Sequence, residues 1–439
     1  MTPHHYWCEH AWTPPDVVHH GLLLEISDGR FSAVEPVVAA PAGATVLRGL
    51  SLPGLADAHS HAFHRALRAR GGGADFFGWR DGMYAIVQRL DPDSYLALAR
   101  AVYAELALAG VTCVGEFHYL HHASDGDRYV DPNAMGHAVA QAAREAGIRI
   151  TVLDTCYLSG GFGADLTPAQ LRFSDGDIHS WLDRVSRFNP GAGARLGAGV
   201  HSVRAVPLDA IELVAEWAAR GVPLHAHVSE QAAENEACRA AYGRTPTEVL
   251  HRAGALASNL TAVHGTHLTA GDIELLGLNG SAVCLCPTTE RDLADGIGPT
   301  AALHAAGVTL TLGSDSHAVI DVFEEARAVE MHERLVSGTR GHLDADALLR
   351  AATVAGHACL GWPDAGRLEV GARADLVSVA LDSVRTAGGP PDARTAVFAA
   401  TAADVRHVIA SGRVIVADGR HTLLDDVPAA LRTAIEPLW

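Results

Sequence analysis

Leu52-Pro53-Gly54-Leu55-Ala56-Asp57-Ala58-His59-Ser60-His61 reads as a short apolar strand that runs out into two histidines. Side chains alternate faces along a strand, so His59 and His61 point to one side and Ser60 to the other. Three further apolar runs end in the same way. Val222-Pro223-Leu224 leads to His227 and Glu230, Leu260-Thr261-Ala262-Val263 to His264, and Val308-Thr309-Leu310-Thr311-Leu312 to Asp315. Neutral imidazoles with one carboxylate form a good ligand set for a divalent transition metal that keeps one position open. A lone strand-end histidine is about as often a hydrogen-bonded core residue as a ligand. Four corresponding strand ends in one chain favour the ligand reading.

The strand–loop–helix pattern repeats outward from these runs. Eight candidate strands end near His59, His118, Cys156, His201, His227, His264, Pro287 and Asp315. Between them lie Ala- and Leu-rich helical stretches such as Tyr95–Ala109, Ala134–Ala146, Leu208–Ala219 and Thr300–Ala306. Gly110, Gly147, Gly221 and Gly307 stand where a helix C-cap is wanted. The expectation is an α/β fold, a (β/α)₈ TIM barrel whose polar strand ends gather at the C-terminal mouth. The chain ends differ. Residues 16–50 hold alternating segments around Ser27-Asp28-Gly29, and residues 366–425 hold more, in Arg367–Val370, Ala374–Ala380 and Val405–Ala417, with a turn at Ser411-Gly412. Neither end can bury its own core, so both are expected to join in one small β-sandwich. The expected division is 1–52 and 366–439 for the two parts of the sandwich and 53–365 for the barrel. Gly71-Gly72-Gly73 follows the first strand directly and reads as a mobile active-site loop.

A net charge of −18 excludes nucleic acid and anionic membrane as main partners, since both demand a basic surface. Any anionic substrate must then be gripped by a local arginine cluster. Seven cysteines without close paired spacing fit reduced thiols in a cytoplasmic protein. Cys284 and Cys286 alternate along an apolar run and read as buried structural thiols rather than ligands. No apolar run reaches membrane-span length, and the first residues lack a signal-peptide pattern.

The stretch 53–61, His227-Val228-Ser229-Glu230, His264 and Gly313-Ser314-Asp315-Ser316 resemble the amidohydrolase superfamily in its mononuclear deaminase branch. Gly366-Arg367-Leu368-Glu369-Val370-Gly371-Ala372-Arg373-Ala374-Asp375-Leu376 resembles its returning sandwich segment. Within the superfamily, four segments are similar to the formimidoylglutamate deiminases of histidine catabolism. They are Gly78-Trp79-Arg80-Asp81-Gly82-Met83-Tyr84, Gly115-Glu116-Phe117-His118-Tyr119-Leu120-His121-His122, His201-Ser202-Val203-Arg204, and Cys286-Pro287-Thr288-Thr289-Glu290 continuing to Leu293-Ala294-Asp295-Gly296.

That resemblance implies one zinc ion, or ferrous iron in its place, on His59, His61, His227 and Asp315. It implies that Asp315 takes a proton from the attacking water, Glu230 shuttles one to the departing nitrogen, and His264 orients the water. It implies a small-molecule substrate with a cationic amidine and two carboxylates, and a homodimer. Arg80 and Arg204 are the candidates to clamp the carboxylates, with Tyr119 and His201 adding hydrogen bonds. His118, His121, His122, His267 and His317 read as supporting or core residues. Two other readings stay open. A deaminase of a purine, pterin or triazine ring would need stacking surfaces, which Trp79, Phe76 and Phe77 could supply. A non-enzymatic metal-buffering barrel would leave the arginines and Tyr119 without a purpose.

All 33 basic residues are arginine. A carboxylated lysine commonly bridges the ions of related two-metal sites, and this chain has no lysine to carboxylate. One tightly held divalent ion per chain is therefore expected. Metal analysis of the pure protein tests this, and two equivalents per chain, both required for activity, would refute it.

Overall fold

The runs of β-branched and small apolar residues form strands, and the Ala- and Leu-rich runs between them form helices. The computed structural model describes residues 4–70 and 76–439. The Gly71-Gly72-Gly73 loop lies outside the described residues, as do the side chains of Phe76 and Phe77. The amino-terminal strands are β1 (His4–Thr13), β2 (Val17–Ser27), β3 (Arg30–Pro36) and β4 (Thr45–Pro53). Eight parallel strands follow: β5 (Leu55–Ser60), β6 (Val111–His118), β7 (Arg149–Cys156), β8 (Ala194–Val200), β9 (Leu224–Val228), β10 (Leu260–His264), β11 (Ala282–Leu285) and β12 (Thr309–Leu312). The chain returns in β13 (Leu376–Val379), β14 (Val405–Ala410), β15 (Arg413–Ala417) and β16 (Arg420–His421).

Strands β5 to β12 neighbour one another in sequence order, and a parallel bridge between Ser60 and Asp315 joins the two edges. This is the expected (β/α)₈ barrel. Every residue of β5, β6 and β7 is buried, as a parallel sheet covered by helices on its outer face requires. The helices start and stop on ordinary local chemistry. Asp91 accepts from the Ser94 amide at the start of Pro92–Leu108, and Gly147, at φ 84°, ends Ala134–Ala146. Among the described residues no helix is long and apolar enough to cross a membrane, and the seven cysteines form no disulfide.

The second sheet has the order β16-β15-β14-β13-β4-β1-β2-β3 and draws on both chain ends. Its own core includes Tyr6, Cys8, Leu24, Phe31, Leu376 and Ile409. Three local expectations change. Leu52–Ala56 is not one strand: Pro53 ends β4 in the second sheet and Leu55 begins β5 in the barrel. The chain crosses at Gly54, where a Cβ would sit 2.4 Å from Thr112 Oγ1 and 2.7 Å from Asp375 Cβ. Arg367–Val370 forms no strand; Gly371 and Ala372 instead exchange backbone hydrogen bonds with Phe31. Ten residues before the expected first segment form β1, which pairs with β4 in parallel. The β14–β15 turn at Ser411-Gly412 stands where the sequence puts it.

Asp375 pins the returning strand to the barrel. It accepts from both terminal nitrogens of Arg149 at the start of β7, at 2.8 and 2.5 Å, and from the Ser411 amide at 2.8 Å. Burial alone would raise this carboxyl, but Arg149 outweighs it and holds the group below its usual value. Its contribution is then fully present above the unfolded carboxylate value near ~4 and is lost as pH falls. Asp375→Ala strands a buried guanidinium, so urea unfolding should show a loss of about 3–5 kcal/mol. A loss under about 1 kcal/mol would refute the pin.

Candidate active site

The donors named from strand ends converge. His59 Nε2 stands 3.2 Å from His61 Nε2 and 3.1 Å from His227 Nε2. Asp315 Oδ1 lies 3.3 Å from His61 Nε2 and 3.5 Å from His59 Nε2. The ligand atoms of all four lie within 4.8 Å of one another. His61 donates from Nδ1 to the Phe117 carbonyl at 3.1 Å, and His227 from Nδ1 to the His201 carbonyl at 3.0 Å. Each contact leaves Nε2 as a lone pair facing the others. Burial holds all three imidazoles below their ordinary pKa, hence neutral. Converging neutral imidazoles and a carboxylate fit a divalent cation.

Barrel closure delivers these donors. The Asp315 amide donates to the His59 carbonyl at 2.9 Å, and the His61 amide to the Asp315 carbonyl at 3.1 Å. Asp57 ties down the same segment by accepting from the Ser314 amide and hydroxyl, at 2.9 and 2.5 Å. Ser60 faces away from the histidines, as strand alternation requires. It donates to Glu116 at 2.8 Å and meets His317 Nε2 at 2.9 Å. Asp315 and His264 hold φ of 45° and 70°, a region that non-glycine residues seldom adopt and that concentrates at functional sites.

His264 sits among three carboxylates. Its Nε2 lies 3.8 Å from Glu230 and 3.7 Å from Asp315, and its Nδ1 lies 3.5 Å from Glu290. Burial would lower its pKa, but Glu230, with Glu290 and Asp315, pushes it well above the ordinary value. Burial raises Glu230, against the pull of His264. Asp315 is held low: burial opposes this, but the imidazoles of His59 and His264 prevail.

These groups open into one cleft. Arg80, Tyr119, His201 and Arg204, named as substrate contacts, all line it, as do Glu230, His264 and Asp315. Tyr119 Oη lies 3.2 Å from His64 Nε2. His118, His121, His122, His267 and His317 lie outside its lining. His121 donates to the Thr155 carbonyl at 2.9 Å, and His122 pairs with Asp175 at 3.2 Å in a buried cluster around Arg184. His267 donates to the Asp295 carbonyl at 2.8 Å. Cys286 lies one residue beyond β11, within 4.8 Å of donor atoms of His264 and Asp315. Burial pushes its thiol well above its ordinary pKa, which disfavours the thiolate a metal would need.

The amidohydrolase family's sequence profile matches residues 50–415. The chain belongs to the amidohydrolase family. A formimidoylglutamate deiminase of Pseudomonas aeruginosa is 36% identical over 426 residues, with 93% of each chain covered. A solved amidohydrolase from Brucella melitensis superposes with a TM-score of 0.90 at 31% identity, over 99% of each chain. An adenosine deaminase from Xanthomonas campestris, solved with bound zinc, gives a TM-score of 0.85 at 26% identity, over 99% of this chain and 98% of that one. The protein is a hydrolase of carbon–nitrogen bonds.

Sequence reasoning gave no role in this amidohydrolase to Glu290, Tyr157 or Gln170. Glu290 lay inside a quoted motif, but its contact with His264 crosses from the segment after β11 to the end of β10. Tyr157 directly follows the β7 strand end, which was available as a signal. Gln170 offered only a Thr-x-x-Gln capping pattern at Thr167.

Gly313 carries no donor, yet the ligand set depends on it. A Cβ there would lie 2.8 Å from both the Cβ and the carbonyl oxygen of His59. Gly313→Ala should therefore lower bound metal per chain severalfold when the purified protein is analysed. Full metal occupancy in that variant would show that the approach of β5 to residue 313 can relax.

Proposed function

We propose that this amidohydrolase is a zinc-dependent deiminase that converts N-formimidoyl-L-glutamate and water to N-formyl-L-glutamate and ammonia, in histidine degradation. The observation that carries the reading is that Arg80 and Arg204 line one cleft with His61, His227 and Asp315, three members of the candidate ligand set completed by His59. Among the described residues Arg204 enters no ion pair, so its charge is available to an anionic substrate. Bidentate pairing with carboxylates is what guanidinium groups do best. Kinship to a deiminase of this name at 36% identity supports the same assignment.

His59, His61, His227 and Asp315 would hold the metal. When bound, a divalent ion supplies the Lewis acidity that makes water a usable nucleophile near neutral pH. Asp315, held low by its imidazole neighbours, is ionised and can accept the proton that water loses on attacking the amidine carbon. Glu230, raised by burial, can carry a proton to the departing nitrogen, which leaves as ammonia while the carbon–oxygen double bond forms. His264, charged between Glu230, Glu290 and Asp315, donates a hydrogen bond that orients the water. Tyr119 and His201 add hydrogen bonds to the substrate. The same proposal includes the 1–52, 53–365 and 366–439 division, a cytoplasmic location suited to seven free thiols, and a homodimer.

A ring deaminase is favoured by Trp79, which lines the cleft, and by the likeness to the adenosine deaminase. Ammonia release from N-formimidoyl-L-glutamate, compared with guanine and adenosine, separates the readings. Turnover of a ring substrate alone would overturn the proposal. Arg204→Met should cost about 2–5 kcal/mol in kcat/KM for N-formimidoyl-L-glutamate, with Arg204→Lys recovering only part of it. Near-normal kcat/KM in Arg204→Met would remove the clamp. Glu230→Gln should keep its metal while turnover falls ~10²-fold or more. Loss of metal in that variant would make Glu230 a ligand instead.

A further inference from the structure

Thr167 opens the turn Pro168–Phe173 with a capping box in which Gln170 Oε1 accepts from the Thr167 amide at 2.8 Å and its hydroxyl at 2.9 Å. A backbone N–H can only donate, so this contact determines which end of the Gln170 amide is oxygen. The NH₂ end then faces two phenols, Tyr157 Oη at 2.8 Å and Tyr84 Oη at 3.3 Å. Each phenol oxygen accepts one hydrogen from Gln170 and keeps its own O–H to donate. Among the described residues no hydrogen bond takes up either hydroxyl proton.

Both phenols and Gln170 line the same cleft as Arg80 and Arg204. They come from three places in the chain: the helix Phe76–Val87, the residue after β7, and the turn at 168–173. Tyr157 packs edge-on against His201, with ring centroids 4.6 Å apart, and is buried along with Gln170. Burial pushes the Tyr157 hydroxyl up to about 12, so it is a donor at neutral pH. A buried hydroxyl whose acceptor side is filled and whose proton has no taker calls for an acceptor from outside the protein. A carboxylate, with about four lone-pair sites, has room for two phenols beside a guanidinium.

We propose that Gln170 aims the Tyr157 and Tyr84 hydroxyls into the cleft as a neutral carboxylate receptor, which works with Arg80 and Arg204 on the substrate's carboxylate end. The inference rests on the formimidoylglutamate reading and deepens it. It makes specificity for an acyclic carboxylate depend on the direction of one side-chain amide.

Gln170→Glu is an isosteric test. One glutamate oxygen still accepts from Thr167, but the other now accepts the phenol protons and turns both donors away from the cleft. The brace between the turn and the helix survives; the receptor does not. Binding of N-formyl-L-glutamate to the zinc-loaded protein is measured by calorimetry, and kcat and KM are measured with N-formimidoyl-L-glutamate. Tyr157→Phe should raise Kd and KM about 10-fold or more with kcat within about twofold, and Gln170→Glu should do at least as much although both phenols remain. Metal content and thermal midpoint should stay at wild-type values. Wild-type Kd and KM in either variant would overturn the receptor, as would a fall in kcat alone. If Gln170→Glu fails to fold, Tyr157→Phe decides the matter. A wild-type protein that neither binds N-formyl-L-glutamate nor turns over N-formimidoyl-L-glutamate would defeat the substrate reading itself. An active wild type with unaffected variants would defeat the receptor alone.

Discussion

Two backbone hydrogen bonds close the barrel, from the Asp315 amide to the His59 carbonyl and from the His61 amide to the Asp315 carbonyl. They bring three of the four candidate metal donors together without any side chain having to find another. The fourth, His227, is placed by its own strand and turned by the His201 carbonyl. Around the seam, Gly313 leaves room for His59, Asp57 grips Ser314, and Ser60 braces the outward face of β5 against Glu116 and His317. The ligand geometry is thus a consequence of barrel closure, and a change that loosened one would loosen the other.

The charge arrangement follows from burial. Buried ions are tolerated only when paired. Around His264 the chain places Glu230, Glu290 and Asp315, which together raise the pKa of its buried imidazole. The same cleft carries Arg80 and Arg204. A cleft with both signs of charge complements the proposed substrate, which has a cationic amidine and an anionic end, in a protein whose overall charge would repel an anion.

Strand ends were legible because the polar residue follows an apolar run of three to five, a pattern needing no knowledge of partners. Boundaries were less so. Gly54 looks like an ordinary strand residue until Thr112 and Asp375 are packed against it, and only then is it seen as the crossing between two sheets. The segment His4–Thr13 mixes histidine, tryptophan and cysteine without clean alternation; its pairing with β2 and β4 makes it a strand. Arg367–Val370 alternates well but finds no partner strand, because Phe31 takes the backbone groups of Gly371 and Ala372 instead.

By itself the sequence determined the residue types and their periodicity: eight apolar runs, the glycines that end helices, the histidines and Asp315 at strand ends, and a basic complement made wholly of arginine. Those are local properties, and local spacing is enough to specify a strand, a cap or a side-chain face. The tertiary structure alone decided the relations between distant residues. Glu290 reaches His264, Asp375 pins Arg149, and Gln170 holds Tyr84 and Tyr157 across separations of 26, 226, 86 and 13 residues. Such contacts depend on which loops the closed barrel brings to one mouth, and no period along the chain encodes that.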